Sequence, residues 1–236
     1  MNDVNSQLPK VERERKPVAF LGVAVPLSLL LAVAGLFLFA WIAEEVMEDH
    51  TRRFDSTVRG WVHQYSSPSM TSVAQAASWM GEYGVSIAFV IALAFFLAFG
   101  WRRAALWLTI AQAGALVLNV SLKYAFHRPR PTPFFGPVPH TYSFPSGHAL
   151  FSFCFYGILA GLLVDRIHSR VATIAIWAAA IILIAAIGLS RIYLGVHYPT
   201  DVVAGYLTAA IWVSSMIALD RLRLRKKRLS FGDVDS

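Results

Sequence analysis

Three short stretches of this chain hold the side chains best suited to chemistry. The first runs from Lys123 to Arg130-Pro131, the second is Pro145-Ser146-Gly147-His148, and the third joins Ser190-Arg191 to His197 and Asp201. Lys123, Arg130 and Arg191 together would suit an anion carrying two or three negative charges. Arginine offers a planar fork of donors to phosphate oxygens, and lysine adds a compact charge. Asp201 follows His197 by four residues, the spacing that stacks two side chains on one helical face. A carboxylate on one imidazole nitrogen fixes the tautomer and leaves the other nitrogen free to attack. His197 is therefore a candidate nucleophile and Asp201 its orienter. By itself the pair reads equally as a polar helix cap.

The second stretch poses a similar choice. Pro-Ser-Gly-His stands immediately before an apolar run, where a helix start leaves unpaired N–H groups and a positive dipole end. Such a start binds anions. Ser146 is either a cap for the helix or a further donor to the ligand. Gly147 lets a ligand approach the backbone, and His148 is a candidate proton carrier.

The elements that must hold these residues are apolar. The chain has 236 residues, 56% of them hydrophobic and 15% charged. Runs of membrane length recur along it, which excludes an ordinary soluble domain. Six spans are expected: Val18–Ala43, Val85–Phe99, Ala104–Leu122, Ala149–Val164, Val171–Leu189 and Val202–Leu219. The second is short, and is expected to extend backwards through Gly81-Glu82-Tyr83-Gly84 into Val73–Met80. The first is too long for the apolar core of a signal peptide, about 7–15 residues, and is read as a retained helix. The organisation is then a tail (1–17), a six-helix membrane domain (18–219) and a basic tail (220–236).

The net charge of +7 is distributed unevenly. Fourteen of the 21 lysines and arginines fall in the N-terminal tail, the turns holding Arg102-Arg103 and Arg166–Arg170, and the C-terminal tail. Six spans put all of these on one side, which the positive-inside tendency assigns to the cytoplasm. The basic C-terminal run sets topology on this reading and does not bind nucleic acid. The remaining loops carry Lys123, Arg130 and Arg191 on the opposite side, where topology alone disfavours cations. Arg128, beside them, reads equally as a side chain snorkelling to the interface. The first outer loop holds Phe54, Val58, Trp61 and Val62 at helical spacing. It is expected either to lie on the membrane surface or to pack as an ordinary loop. The single cysteine, Cys154, is a small core residue on this reading.

Taken together, Lys123-x6-Arg130-Pro131, Pro145-Ser146-Gly147-His148 and Ser190-Arg191-x5-His197-x3-Asp201 resemble the three-part signature of the type 2 phosphatidic acid phosphatase superfamily. The resemblance covers Lys123 to Asp201 by motif and the whole chain by its six-span plan. It implies an all-α multi-pass protein of a bacterial cell membrane, with an extracytoplasmic active site. His197 would attack phosphorus to form phosphohistidine, Asp201 would hold its ring, and His148 would protonate the leaving oxygen. Lys123, Arg130, Ser146, Gly147, Ser190 and Arg191 would bind the phosphate. No metal or other cofactor is implied. The implied substrates are phospholipid or polyprenyl phosphates, among them phosphatidic acid, phosphatidylglycerol phosphate, undecaprenyl diphosphate and lipid A phosphates. A phosphotransferase passing the phosphoryl group to a second lipid is the rival within the family. An anion transporter is the rival outside it, and the clustering of charge at one face argues against that. Oligomeric state is not readable from the residues.

Overall fold

The computed structural model describes the backbone from Ala19 to Gly232 and the side chains from Leu29 to Arg223. The expected N-terminal tail and most basic side chains of the C-terminal tail lie outside the described residues. Eight α-helices follow in order: α1 (Ala19–Met47), α2 (Arg52–Gln64), α3 (Pro68–Trp79), α4 (Val85–Ala98), α5 (Arg102–Phe126), α6 (Gly147–Val164), α7 (Arg170–Tyr193) and α8 (Pro199–Gly232). No strand occurs among the described residues. Six helical segments have the length and composition to cross a membrane.

The second of these is α3 and α4 joined by a π-helical turn over Met80–Gly84. The Gly-Glu-Tyr-Gly segment, read from sequence as a break, is therefore a widened turn inside one 31-residue span from Pro68 to Ala98. Local capping sets several boundaries. Ser67 accepts from Met70 N ahead of Pro68 at the first helical position, and Ser169 accepts from Ala172 N ahead of α7. The last helix passes the expected end of the membrane domain at Leu219 and continues to Gly232 without interruption.

Apolar side chains are distributed as lipid contact requires. Phe37, Val90, Ile91, Val117, Val171, Ile174 and Ile182 face outward. The interior is rich in alanine: Ala104, Ala105, Ala111, Ala115, Ala149, Ala204 and Ala209 are buried. In lipid there is no hydrophobic gain from turning leucine inward, so close approach of backbones through small residues carries the packing. Helix α6 is central, packing on α5, α7 and α8, while α1 lies along α8. Phe39, Ile42, Ala43 and Val46 of α1 close a cluster with Phe144 and Ala204.

Helix α2 settles the two readings of the first outer loop. It packs on α7 and α8, with Asp55 completely buried and Phe54 and Trp61 turned outward. The apolar pattern is split: Val62 packs inward near Ile192 and Tyr193 on the side that carries Asp55, while Phe54 and Trp61 stay exposed.

The packing of α5 on α8 gives a direct test. Trp212 Nε1 donates to Ala111 O at 3.1 Å, and a Cβ on Gly114 would lie 2.1 Å from the Trp212 ring. Gly114→Ala should therefore cost about 1–3 kcal/mol through overpacking. A lowered thermal midpoint of the detergent-solubilised protein is expected; an unchanged midpoint would contradict this α5–α8 contact.

Candidate active site

The ends of α5, α6, α7 and α8 meet at one end of the bundle, joined by two loops that are stitched together. Phe134 and Phe135 N–H both donate to Leu194 O, and Ser143 N–H donates to Arg128 O. Arg59 of α2 reaches over both loops, donating to Thr132 O at 2.8 Å and Gly195 O at 3.0 Å. Ser146 N–H donates to Asp201 O, which ties the start of α6 to the start of α8.

Pro199 begins α8, so His197 lies in the turn just before the helix and Asp201 in its first turn. The two side chains meet with Nδ1 of His197 3.2 Å from Oδ2 of Asp201. That oxygen also accepts from Tyr198 N–H at 2.9 Å. Nε2 of His197 faces Arg130, whose Nη1 lies 3.0 Å away. With Nδ1–H directed to the carboxylate, Nε2 keeps a lone pair, and the Arg130 guanidinium donates to it. Burial, followed by the charges of Arg130, Lys123 and Arg191, holds His197 well below its ordinary pKa of 6.5. Asp201 does not reverse this, because its other oxygen is shared with a cation.

That cation is Arg128. Its Nη1 donates to Asp201 Oδ1 at 2.6 Å and to Thr200 Oγ1 at 2.9 Å. Its Nη2 donates to Asp55 Oδ2 at 2.8 Å and to Thr51 Oγ1 at 3.1 Å. Asp55 also accepts from Thr200 N–H at 3.1 Å and from Thr200 Oγ1–H at 2.8 Å. The guanidinium lies 4.1 Å from the centre of the Tyr198 ring. Arg128 does not snorkel. Burial alone would lower its pKa, but Asp201 and Asp55 raise it above the ordinary value.

Lys123, Arg130, Arg191, Gly147, His148 and His197 all line one cavity of about 770 Å³. Backbone carbonyls and two hydroxyls, Ser78 Oγ on Arg191 and Thr141 Oγ1 on Arg130, hold the cations in place of acids. Lys123 donates to Tyr142 O, Arg191 donates to Ser78 Oγ, and Arg130 donates to Thr141 O at 2.6 Å and Val196 O at 2.8 Å. Burial lowers the pKa of Arg130. Several polar atoms here are buried without a partner: Ser146 Oγ, His148 Nε2, Asn119 Oδ1 and Arg191 Nε. Unpaired buried polar atoms are costly and uncommon. Asn119, His148 and Arg191 line the cavity, while Ser146 is absent from its wall and lies buried at the start of α6; unpaired polar atoms gathered beside a helix N-terminus are what an anion would relieve. Ser146 makes no side-chain cap to α6, so the capping alternative for it does not hold.

Ser190 departs from expectation. Its hydroxyl donates to Ile187 O at 2.6 Å inside α7, and it is absent from the cavity wall. A serine in a helix interior readily bonds back to its own helix, which leaves it behind Arg191. No cluster of three or more His, Cys, Asp or Glu positioned for a metal occurs among the described residues.

The PAP2 superfamily model matches residues 104–224, more than half of the chain. The chain belongs to the PAP2 superfamily. It is 37% identical over 97 residues to phosphatidylglycerophosphatase B of Bacillus subtilis (strain 168), which is 38% of this chain and 45% of that protein. It is 32% identical over 142 residues to an undecaprenyl-diphosphatase of Sulfolobus acidocaldarius, 57% of this chain and 64% of that one. The chain thus spans less than two thirds of either relative. The crystal structure of the first transmembrane PAP2 type phosphatidylglycerolphosphate phosphatase from Bacillus subtilis superposes with a TM-score of 0.72 at 24% identity, covering 80% of this chain and 95% of that one. This likeness is one of fold.

Within this PAP2 fold, sequence reasoning passed over Asp55, Thr200, Asn119 and Glu82, and left Arg128 open. Asp55 is 73 residues from Arg128, and no local pattern marked either as a partner. The usable signal was negative: an acidic residue on the expected apolar face of the loop helix. Arg128→Met should leave two buried carboxylates without their cation, costing about 3–5 kcal/mol. A lowered thermal midpoint with a fall in turnover is expected. Wild-type stability would show that Arg128 does not hold Asp55 and Asp201 together.

Proposed function

We propose that the chain is a multi-pass membrane phosphatase that hydrolyses the terminal phosphate of a lipid phosphate or diphosphate through a phosphohistidine. The observation that carries this reading is His197. Its Nδ1 is paired with Asp201, while its Nε2 opens onto a cavity lined by Lys123, Arg130 and Arg191. The Nε2 lone pair forms the N–P bond, and the pair of the breaking P–O bond passes to the leaving oxygen. His148 Nε2–H delivers the proton to that oxygen. Neutral His148 then takes a proton from the water that attacks phosphorus, and His197 is released. Arg130 exchanges its contact with His197 for a phosphate oxygen as substrate enters.

Phosphoryl transfer asks mainly for positioning and for neutralisation of the non-bridging oxygens. Lys123, Arg130, Arg191, Ser146 Oγ and the N–H groups at Gly147 meet that demand, and the reading needs no metal. Ser190 contributes only by holding the end of α7. Away from the cations the cavity wall becomes apolar through Val85, Phe89, Val90, Leu116 and Phe151, which suits a lipid chain entering from the bilayer. The reading leans towards undecaprenyl diphosphate or phosphatidylglycerol phosphate, the lipids in the names of the two relatives. Arg102, Arg103, Arg166, Arg170, Arg221 and Arg223 flank the opposite ends of the spans, which by the positive-inside tendency makes the catalytic face extracytoplasmic.

Phosphate release over a panel of phosphatidic acid, phosphatidylglycerol phosphate and undecaprenyl diphosphate tests the activity and ranks the substrates. His197→Ala should lower turnover by at least about 10⁴-fold, as removal of a nucleophile does elsewhere. Wild-type release from that variant would end the assignment. The attacking form is neutral imidazole, and the lowered pKa of His197 keeps that form present below pH 6.5. The acid limb of kcat/KM should therefore lie below 6.5; a limb above it would contradict the environment assigned to His197.

A further inference from the structure

The cavity built for an anion contains one residue of the wrong sign. Glu82 is the only carboxylate among its lining residues. It stands in the π-helical turn, where the backbone is held on both sides. Tyr156 Oη–H donates to Met80 O at 3.2 Å, and Ser86 Oγ–H donates to Glu82 O at 3.0 Å. A Cβ on Gly81 would lie 2.4 Å from Ile187 Cγ2 and 2.9 Å from His148 Cδ2. Glycine there allows this turn to lie directly against the His148 ring. The Glu82 carboxylate then comes within 3.7 Å of His148 Nε2, a nitrogen that is buried and has no hydrogen-bond partner. π-Turns within α-helices are frequent at functional sites, and this one sets a carboxylate against the second histidine of the pocket.

We infer that Glu82 is a positioning residue for the proton donor, supplying the counter-charge beside Nε2 that favours His148 as imidazolium until the leaving oxygen takes the proton. This rests on the reading of His148 given under Proposed function. The groups facing His148 from the neighbouring elements are otherwise cationic or neutral: Arg191 of α7, Arg130 of the long loop, His197 of the α7–α8 turn, and Lys123 and Asn119 of α5. Among these described neighbours Glu82 is the acidic one, and its carboxylate lies near both His148 and Arg191. Its carboxylate repels the incoming phosphate, so its presence costs substrate affinity and is offset by a gain in protonation of the leaving group. Once the Nε2 proton has moved to the leaving oxygen, His148 is neutral and the carboxylate no longer holds it. The ring is then free to receive a proton from the hydrolytic water.

The experiment compares Glu82→Gln, His148→Asn and wild type on two monoesters. Phosphatidic acid has a poor alkoxide leaving group that needs a proton; 4-nitrophenyl phosphate has a leaving group that does not. Glu82 is 56% exposed, so the glutamine variant should fold. Glu82→Gln should lose roughly 10- to 100-fold in kcat/KM on phosphatidic acid, within the range general acids contribute, and far less on the aryl ester. The basic limb of its pH profile on phosphatidic acid should move to lower pH, because His148 loses its proton sooner without the carboxylate. Its KM should stay level or fall. Equal losses on both esters, or an unmoved basic limb, would overturn the role of Glu82. If His148→Asn itself loses equally on both esters, the proton-donor reading of His148 fails and the Glu82 inference goes with it. Leaving-group dependence in His148→Asn but not in Glu82→Gln overturns the Glu82 inference alone.

Discussion

Arg128 is the constraint on which the rest of the site depends. Its guanidinium joins Asp55 of α2 to Asp201 of α8, and Thr200 accepts from Arg128 and donates to Asp55. Three segments distant in sequence thereby meet at one buried point: the first outer helix, the loop after α5, and the α7–α8 turn with the start of α8. Two carboxylates with no exposed surface would be untenable in a membrane-embedded site without a shared cation and several donors. The six protein donors to Asp55 and Asp201 (two from Arg128, two from Thr200, one each from Tyr198 and His197) meet that demand. A consequence reaches the chemistry. Asp201 spends one oxygen on Arg128 and keeps the other for His197 and Tyr198 N–H, so it orients the imidazole without drawing a full proton from it.

The anion pocket behind this node is held open by neutral groups. Lys123, Arg130 and Arg191 lean on carbonyls and two hydroxyls, which orient them without cancelling their charge. Pairing each with an acid would stabilise the empty pocket and set it in competition with phosphate. On the proposed function, leaving the charges unpaired by acids would transfer that stabilisation to the bound state, as preorganised electrostatic sites do. The unpartnered Ser146 Oγ, Asn119 Oδ1 and Arg191 Nε belong to the same pattern.

What could be read from the chain depended on how far apart the partners lie in sequence. Six spans follow from composition, because a membrane imposes its period directly on the residues. His197 and Asp201 could be paired from sequence because four residues and a proline fix their relation. Lys123, Arg130, His148 and Arg191 became candidates only as a constellation, since each alone has an ordinary explanation. Asp55 and Arg128 were not legible as a pair, because nothing local connects an acid in a surface helix to an arginine in a proline-rich loop. Ser190 misled for the opposite reason: it sits beside Arg191 in sequence, yet a helix turns adjacent side chains about 100° apart. The Gly-Glu-Tyr-Gly segment was visible as an irregularity, but its sense was not. Glycines that would weaken a soluble helix here serve a widened turn within a span.

The two histidines of the cavity each face a carboxylate, and the two carboxylates differ. Asp201 is wholly buried and neutralised by Arg128, whereas Glu82 is more than half exposed and makes no ion pair with a lysine or arginine among the described residues. A carboxylate whose charge is already engaged fixes a tautomer and tolerates a neutral ring. A carboxylate whose charge is free favours the imidazolium. On the proposed mechanism the same residue pair, histidine with an acid, would serve a nucleophile in one setting and a proton donor in the other, with the distinction set by surroundings. The proposed mechanism needs both states present at one pH, and unlike surroundings decide which histidine holds the proton. The difference originates in two elements outside the signature motifs: α2, which delivers Asp55 to Arg128, and the π-turn, which delivers Glu82 to His148.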